Sequence, residues 1–336
     1  MQYICRKNLK KMKILGLGNA LVDVLSRLKS DEKLVEIGIQ KGAMDMISRE
    51  KMFAIRAAQS GEESTQAPGG SVCNTMRAIS YLGGNSGFIG KIGDDEIGKF
   101  YENSLKEAGV APYFIKENGP TGSCTVLISP DGERTMGTFL GPAPTIDPSE
   151  ISDDVLSLYD YIYIEGYLLV NDNLVREIMK RSKKLGLKVA LDLSNFNIVN
   201  AFRGFLEEII PAYVDILFSN ESEAEAYTGK LAVEAVKTLS EMVDISLVTI
   251  GKEGSIVGSK GSFIKIAAEG GKPVDTTGAG DNFAAGFLYG QSIGATLEQS
   301  ARIGSVLAGY VIDVVGPQIP ADKWEQIKLK VKDILA

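Results

Sequence analysis

Short apolar runs and helix-patterned segments alternate along most of the 336-residue chain. The runs "KILGLG" from Lys13, "YIYIEG" from Tyr161, "KVALDLS" from Lys188, "VDILFSN" from Val214 and "SLVTIG" from Ser246 read as strands. Between them lie segments such as "NDNLVREIMKRSKKLG" and "VEAVKTLSEMV", whose apolar positions recur at helical spacing. Strands that alternate with helices need crossover connections, so the pattern predicts an α/β fold with a mostly parallel central sheet flanked by helices on both faces. From Thr121 to Leu140 the rhythm changes. There "TGSCTVLISPDGERTMGTFL" places two β-rich runs around Pro130-Asp131-Gly132, which is turn chemistry for a hairpin. "DVLSRLK", directly after the first strand, is a second strand-like insertion. The expected organisation is a single α/β unit over 1–336, carrying a small β lid built from insertions at about 23–48 and 120–141. No internal repeat, low-complexity tract or proline-rich linker divides it.

Charge narrows the partners. With 36 Lys and Arg against 43 Asp and Glu, the net charge is −7, which disfavours nucleic acid because neutralising phosphates needs a clustered basic surface. The densest basic run, "CRKNLKKMK" at Cys5 to Lys13, reads as a solvated extension before the first strand. No run of 18 apolar residues occurs, so no membrane span is expected, and the chain is read as cytoplasmic. Cys5, Cys73 and Cys124 lie far apart and suit neither a disulfide framework nor a zinc site. The absence of histidine has the sharpest consequence. It removes Ser-His-Asp catalysis and a histidine base together, leaving proton transfer to Asp, Glu, Lys, Tyr or Cys.

Three stretches carry candidate chemistry. In "DTTGAGDNFAAGFLYG", from Asp275 to Gly290, Phe283 and Phe287 fall one turn apart, as do Ala284 and Leu288, so a helix is expected to start at Asp281. Gly278, Ala279 and Gly280 then approach a helix N-terminus, where free N–H groups and the helix dipole favour an anion. Asp281 there reads either as a helix cap or as an ionised base facing the anion, with an ordinary carboxylate pKa of about 3.9. In "PGGSVCNTMRAISYLGG", from Pro68 to Gly84, Gly69 and Gly70 lead into a helix that Gly83 and Gly84 end. Asn74 in its first turn offers a donor and an acceptor to a polyol. In "FSNESEAEAYTG", Asn220 and Glu223 have the spacing of a reciprocal helix cap, at a strand end where α/β proteins bind ligands. The strand edge "VTIGKEGSIV" adds Thr249, Gly251 and Gly254.

Two familiar motifs are missing. "GLGNALVDV" has Leu21 where a dinucleotide fingerprint needs its third glycine, and no phosphate-binding G-x-x-x-x-G-K-[ST] occurs. Asp23 just beyond that first strand is instead placed to meet sugar hydroxyls, or else reads as a surface turn acid.

The paired loops "PGGSVCNTMRAISYLGGNSGFIGKIGDDEIG" and "DTTGAGDNFAAGF" resemble the two signatures of the ribokinase/PfkB family of small-molecule kinases. "GNALVDV", "GERTM", "VDILFSNESEA" and "VTIGKEG" follow in that family's order from about Lys13 to Pro317. The resemblance implies a ribokinase-like three-layer fold with a β lid over the acceptor. It makes Asp281 the catalytic base and Gly278, Ala279 and Gly280 the anion hole. Asn19, Asp23, Gly69, Gly70, Asn74 and Arg134 would bind substrate, with Arg134 reaching phosphates from the lid. Asn220, Thr249, Gly251 and Gly254 would border ATP, and Glu223 would hold Mg2+ through water. Asp275 and Thr277 would lie near a monovalent cation such as K+.

Within the family the chain looks closest to the adenosine kinase-like branch. The implied reaction is ATP-dependent phosphorylation of the 5'-hydroxymethyl of adenosine or a related nucleoside. A sugar kinase acting on ribose, fructose or another furanose is the alternative, and a silent nucleoside or sugar sensor a third reading. A monomer and a homodimer both fit.

Overall fold

The computed structural model describes residues 11–59, 64–270 and 273–336. Most of the basic run at Cys5 to Lys13, and Cys5 itself, therefore lie outside the described residues. The strands are β1 (Lys13–Leu17), β2 (Leu21–Arg27), β3 (Met44–Met46), β4 (Ser64–Gly69), β5 (Asn85–Gly93), β6 (Ala111–Glu117), β7 (Gly122–Ile128), β8 (Arg134–Phe139), β9 (Tyr161–Glu165), β10 (Lys188–Asp192), β11 (Ile216–Asn220), β12 (Ile245–Thr249), β13 (Ser255–Ser259) and β14 (Ser262–Ile266). The helices are α1 (Glu32–Glu36), α2 (Arg49–Ala58), α3 (Ser71–Tyr81), α4 (Glu96–Glu107), α5 (Asp153–Leu156), α6 (Asp172–Lys184), α7 (Phe196–Ala201), α8 (Arg203–Tyr213), α9 (Glu221–Thr228), α10 (Ala232–Leu239), α11 (Ala279–Ser292), α12 (Leu297–Val311) and α13 (Trp324–Leu335).

Nine strands form the large sheet in the order β14-β13-β12-β11-β10-β9-β1-β5-β6. It is parallel from β12 to β6, and β13 and β14 add an antiparallel edge. The apolar runs follow from burial on both faces. In β9, Tyr161 and Tyr163 join the core under α3, α11 and α12, while Ile162 and Ile164 join the core under α6, α8 and α10. The first core is keyed by aromatics: the Phe218 ring meets Tyr163 and Phe287 edge-on, at 5.8 and 5.7 Å between centroids.

A second sheet has five strands, β3-β8-β7-β2-β4. The hairpin expected around Pro130-Asp131-Gly132 is the antiparallel β7–β8 pair, Ser123 opposite Phe139 through Ile128 opposite Arg134. β2 begins at Leu21, two residues before the expected insertion, and pairs with β7 in parallel. It also pairs with β4, a strand lying outside both expected insertions. "STQAPG" hides β4 because its first three residues are exposed and carry no apolar alternation. Among the described residues no helix is long and apolar enough to cross a membrane.

The helices α11 and α12 pack closely because glycines face each other. A Cβ on Gly286 would stand 2.7 Å from the Gly304 Cα. Gly286→Val is therefore expected to destabilise the fold by about 1–3 kcal/mol through overpacking. A chemical denaturation midpoint equal to that of the parent would contradict this account of the contact.

Candidate active site

The carboxyl ends of β1, β9, β10, β11 and β12 reach one edge of the large sheet, and the second sheet stands across them. Between them opens a cavity of about 1080 Å³. Asn19, Glu165, Asp192, Asn220 and Thr249 enter it from the strand ends, and Asp23, Cys124, Arg134 and Met136 from the second sheet. This is where parallel sheets bind ligands, since the loops after the strands diverge there.

Two helix N-termini meet in this cavity. Helix α11 begins at Ala279, two residues before the start expected from the sequence. The reason is Gly278, whose φ of +75° ends the incoming loop as a left-handed cap, and whose Cβ would strike Pro317 at 2.6 Å. Asp281 is thus not the cap but lies in the first turn. The N–H groups of Gly280 and Asp281 meet no acceptor among the described residues, and a Cβ on Gly280 would touch nothing within 4 Å. Open donors, open space and the positive end of a helix of 14 residues make an anion cradle.

Helix α3 enters from the other side behind Gly70, whose φ is +91° and whose Cβ would lie 2.5 Å from the Asn19 carbonyl oxygen. Its first turn grips Asp281. Ser71 Oγ donates to Oδ1 at 2.6 Å and Asn74 Nδ2 donates to Oδ2 at 2.9 Å. Asn74 therefore orients the carboxylate directly, a role beyond the polyol contact expected of it. Burial raises the Asp281 pKa, and the two hydrogen bonds offset only part of that rise. The expectation of an ordinary carboxylate is thereby corrected: desolvation outweighs hydrogen bonding at this site.

More acids crowd the same space. Burial, with the charge of Asp281, pushes Asp23 up to about 7. Its carboxylate meets no donor among the described residues and lies against Gly69, where a Cβ would sit 2.5 Å from Oδ2. Burial takes Glu165 to about 7 against hydrogen bonds from Asn19 and Val72. It takes Asp192 to about 6, although Ser194 N–H and Tyr163 Oη both donate to it. Glu223 reaches about 8 through burial and the charge of Asp192. Asn220 and Glu223 do form the reciprocal cap of α9: Asn220 N–H donates to Glu223 Oε2 at 2.8 Å and Glu223 N–H to Asn220 Oδ1 at 2.9 Å. Both still line the cavity. The amide oxygens Asn19 Oδ1 and Asn74 Oδ1 are buried without a partner among the described residues.

At the rim, Arg134 of β8 pairs with Asp275 at 3.1 Å. In this geometry the guanidinium pairs with Asp275 while Arg134 also lines the cavity. Burial alone would raise Asp275, but hydrogen bonds from Gly316 N–H and from Thr277 N–H and O–H, together with Arg134, bring it to about 2. A carboxylate so fully engaged does not fit a monovalent cation at Asp275 and Thr277.

Thr249 lines the cavity, whereas Gly251 and Gly254 do not. Gly254, at φ +100°, is demanded by contact with the Ile266 carbonyl oxygen as β13 turns alongside β14. Ser71, Glu165 and Asp192 were not singled out from the sequence. For the two acids a signal exists, namely a carboxylate closing an apolar strand run in "YIYIEG" and "KVALDLS".

The pattern of the pfkB family carbohydrate kinases matches residues 31–324 of this chain. The chain belongs to that family. It is a phosphotransferase with an alcohol group as acceptor, on a ribokinase-like fold. The adenosine kinase from Sinorhizobium meliloti is 33% identical, covers 96% of this chain and 99% of its own, and superposes with a TM-score of 0.82. A probable sugar kinase from Rhizobium etli CFN 42 is 30% identical, covers 95% and 98%, and has a TM-score of 0.83. The adenosine kinase of Saccharomyces cerevisiae is 28% identical over 91% of this chain and 96% of its own.

The raised acids predict how stability varies with pH. Each has a folded pKa above its unfolded value of about 4, so the folded state binds protons more tightly than the unfolded chain. That contribution is fully present below about pH 4 and is lost as pH rises through about 6 to 8. The thermal midpoint of the ligand-free protein should fall between about pH 5 and 8, and Asp23→Asn should flatten part of that fall. A midpoint that holds steady or rises over this range would contradict the desolvation account.

Proposed function

We propose that this kinase transfers the γ-phosphoryl group of ATP to the primary hydroxyl of adenosine or a related nucleoside. The observation that carries the reading is the Asp281 carboxylate, held by α3 at the open N-terminus of α11, inside a cavity lined by both polar and apolar side chains. Asn19, Asp23 and Asn74 supply polar groups, a carboxylate without a donor and two amide oxygens without a partner among the described residues, suited to ribosyl hydroxyls. Leu25, Met136, Leu140, Tyr167, Val170 and Ile198 supply an apolar surface that a free sugar does not need and a purine base does. The likeness to adenosine kinases supports the same assignment. A furanose kinase remains the second reading, favoured by the probable sugar kinase of nearly equal structural likeness.

The residues fit the family's ATP and Mg2+. The Gly278-Ala279-Gly280 turn accepts a phosphoryl anion without moving, because its donors and the space above Gly280 are open. Glu223 and Asp192 are oxygen donors whose buried charges disfavour each other, which a hard divalent cation relieves. Among the described residues no group of three or more acids or cysteines could enclose a metal alone, so Mg2+ would keep water and phosphate ligands. When bound, ATP supplies the transferable phosphoryl group and Mg2+ neutralises its charge.

Within the chain, Asp281 accepts the proton of the attacking hydroxyl as its oxygen forms the new bond to phosphorus and the bond from phosphorus to the bridging oxygen breaks, ADP leaving with that oxygen. The N–H groups of α11 stabilise the charge on the transferring group. Ser71 and Asn74 keep the carboxylate aimed, and the second sheet covers the acceptor from water. That sheet is proposed to act as a lid on a single α/β unit over 1–336.

Purified protein with ATP and Mg2+, tested against adenosine, inosine, ribose, fructose and tagatose, should phosphorylate adenosine most efficiently. Preferential turnover of a free sugar would move the chain to the second reading. Asp281→Asn should keep the fold and acceptor affinity but lower turnover by about two to four orders of magnitude. Near-normal turnover in that variant would remove Asp281 as the base.

A further inference from the structure

The stretch "GFIGKIGDDEIG", from Gly87 to Gly98, contributes no residue to the lining of the cavity. It builds the place where the second sheet joins the body. Asp95 caps α4, its Oδ1 accepting from Gly98 N–H at 2.8 Å. The same carboxylate accepts from Thr121, 26 positions away: Thr121 Oγ1 donates to Oδ1 at 2.5 Å and Thr121 N–H to Oδ2 at 3.1 Å. Thr121 Oγ1 in turn accepts from Gly93 N–H at 3.0 Å. Both glycines are required by this contact. A Cβ on Gly93 would stand 2.6 Å from Thr121 N, and one on Gly98 2.7 Å from Thr121 Oγ1.

Thr121 is fully buried where the chain crosses between the sheets. The next residue, Gly122, opens β7 and lies between the crossing into β2 and the crossing out of β8. Its Cβ would meet the Ala20 carbonyl oxygen at 3.0 Å and the Leu140 carbonyl oxygen at 2.6 Å. The remaining crossing, at the end of β4, is held by the same helix: Tyr101 Oη of α4 donates to the Gly69 carbonyl oxygen at 3.0 Å. On the outer face of the second sheet, Arg56 of α2 donates to Ser123 Oγ at 3.0 Å, within the field of the Asp95 charge. From Thr121 the cavity is two steps of strand pairing away, since Leu21 lies opposite Gly122 and Asp23 opposite Cys124. We infer that Asp95 is a positioning residue for the acceptor: by fixing Thr121 it sets where β2 and β7 stand over the cavity, and so where Asp23 lies relative to Asp281. It acts from outside the cavity. The inference rests on the reading that the second sheet covers the acceptor.

Steady-state kinetics of the parent, Asp95→Asn, Thr121→Val and the double variant test this, with adenosine and ATP varied in turn and thermal midpoints measured alongside. Asparagine caps a helix about as well as aspartate, so α4 is kept, but one of the two acceptors becomes an N–H₂ donor facing Thr121. Valine keeps the shape of threonine and removes the hydroxyl. Each single variant should raise the acceptor KM about 10-fold, as small displacements of binding groups do, with KM for ATP within about threefold of the parent. The double variant should lose clearly less than the product of the two single losses, because both break one contact. Thr121→Ser retains the hydroxyl and should keep the acceptor KM within about twofold of the parent.

Values of KM for acceptor and ATP that rise together as the midpoint falls would reduce Asp95 to a helix cap and overturn the inference. So would an acceptor KM equal to that of the parent. If Asp95→Asn does not fold, Thr121→Val compared with Thr121→Ser is read in the same way. Hydrogen exchange of the ligand-free variants decides the linkage without turnover. Faster exchange in β2 and β7, with β10 and β11 unchanged, supports it, and unchanged exchange in β2 and β7 overturns it. Parent protein without turnover on any acceptor would refute the functional reading, and the exchange result would still decide whether Asp95 places the second sheet.

Discussion

The hydrogen bonds from Ser71 and Asn74 to Asp281 join two segments more than two hundred positions apart in the chain, and the geometry of the cavity depends on them. Each segment is a helix start placed behind a glycine of positive φ, Gly70 for α3 and Gly278 for α11. The glycines turn the chain sharply enough for both N-termini to face the same space, and the carboxylate lies between them. One N-terminus keeps its backbone donors open for an anion, while the other offers side chains to the acid. The meeting draws on both sheets: α9 follows β11 of the large sheet, α3 follows β4 of the second sheet, and α11 follows the loop after the edge strand β14.

Desolvation gives the cavity its electrostatic character. Asp23, Glu165, Asp192, Glu223 and Asp281 lie close enough that the charge of one raises the pKa of another, and burial raises all five. A ligand-free site of this kind is unfavourable, which suits a protein whose partners bring cations and hydroxyl donors. At the rim the balance reverses. Asp275 is held ionised by Arg134 and three hydrogen bonds from Gly316 and Thr277, and the ion pair ties the second sheet to the body at the mouth of the cavity.

Much of this was legible in the sequence because it rests on local rules. The strands β1, β9, β10, β11 and β12 follow from apolar runs of the right length, the β7–β8 hairpin from Pro130-Asp131-Gly132, and the α11 site from the spacing of Gly278, Gly280 and Asp281. What stayed hidden depends on tertiary contact. β4 is exposed over half its length and is a strand only because β2 lies beside it. The start of α11 depends on Pro317 crowding Gly278. Gly254, which reads as room for a nucleotide, is room for the Ile266 carbonyl. Glu165 gives no hint of its contacts, since its partners Asn19 and Val72 lie 146 and 93 residues away.

The central claim is that Asp281 acts as an ionised base from a buried position. It is tested most directly by the pH dependence of kcat/KM for the acceptor, measured with ATP and Mg2+ saturating. The account predicts a rate that falls on acidification with its midpoint above the ordinary aspartate value of about 3.9. The residual rate of the Asp281→Asn protein should lack that limb. A profile flat down to about pH 4, or the same limb persisting in the variant, would contradict it.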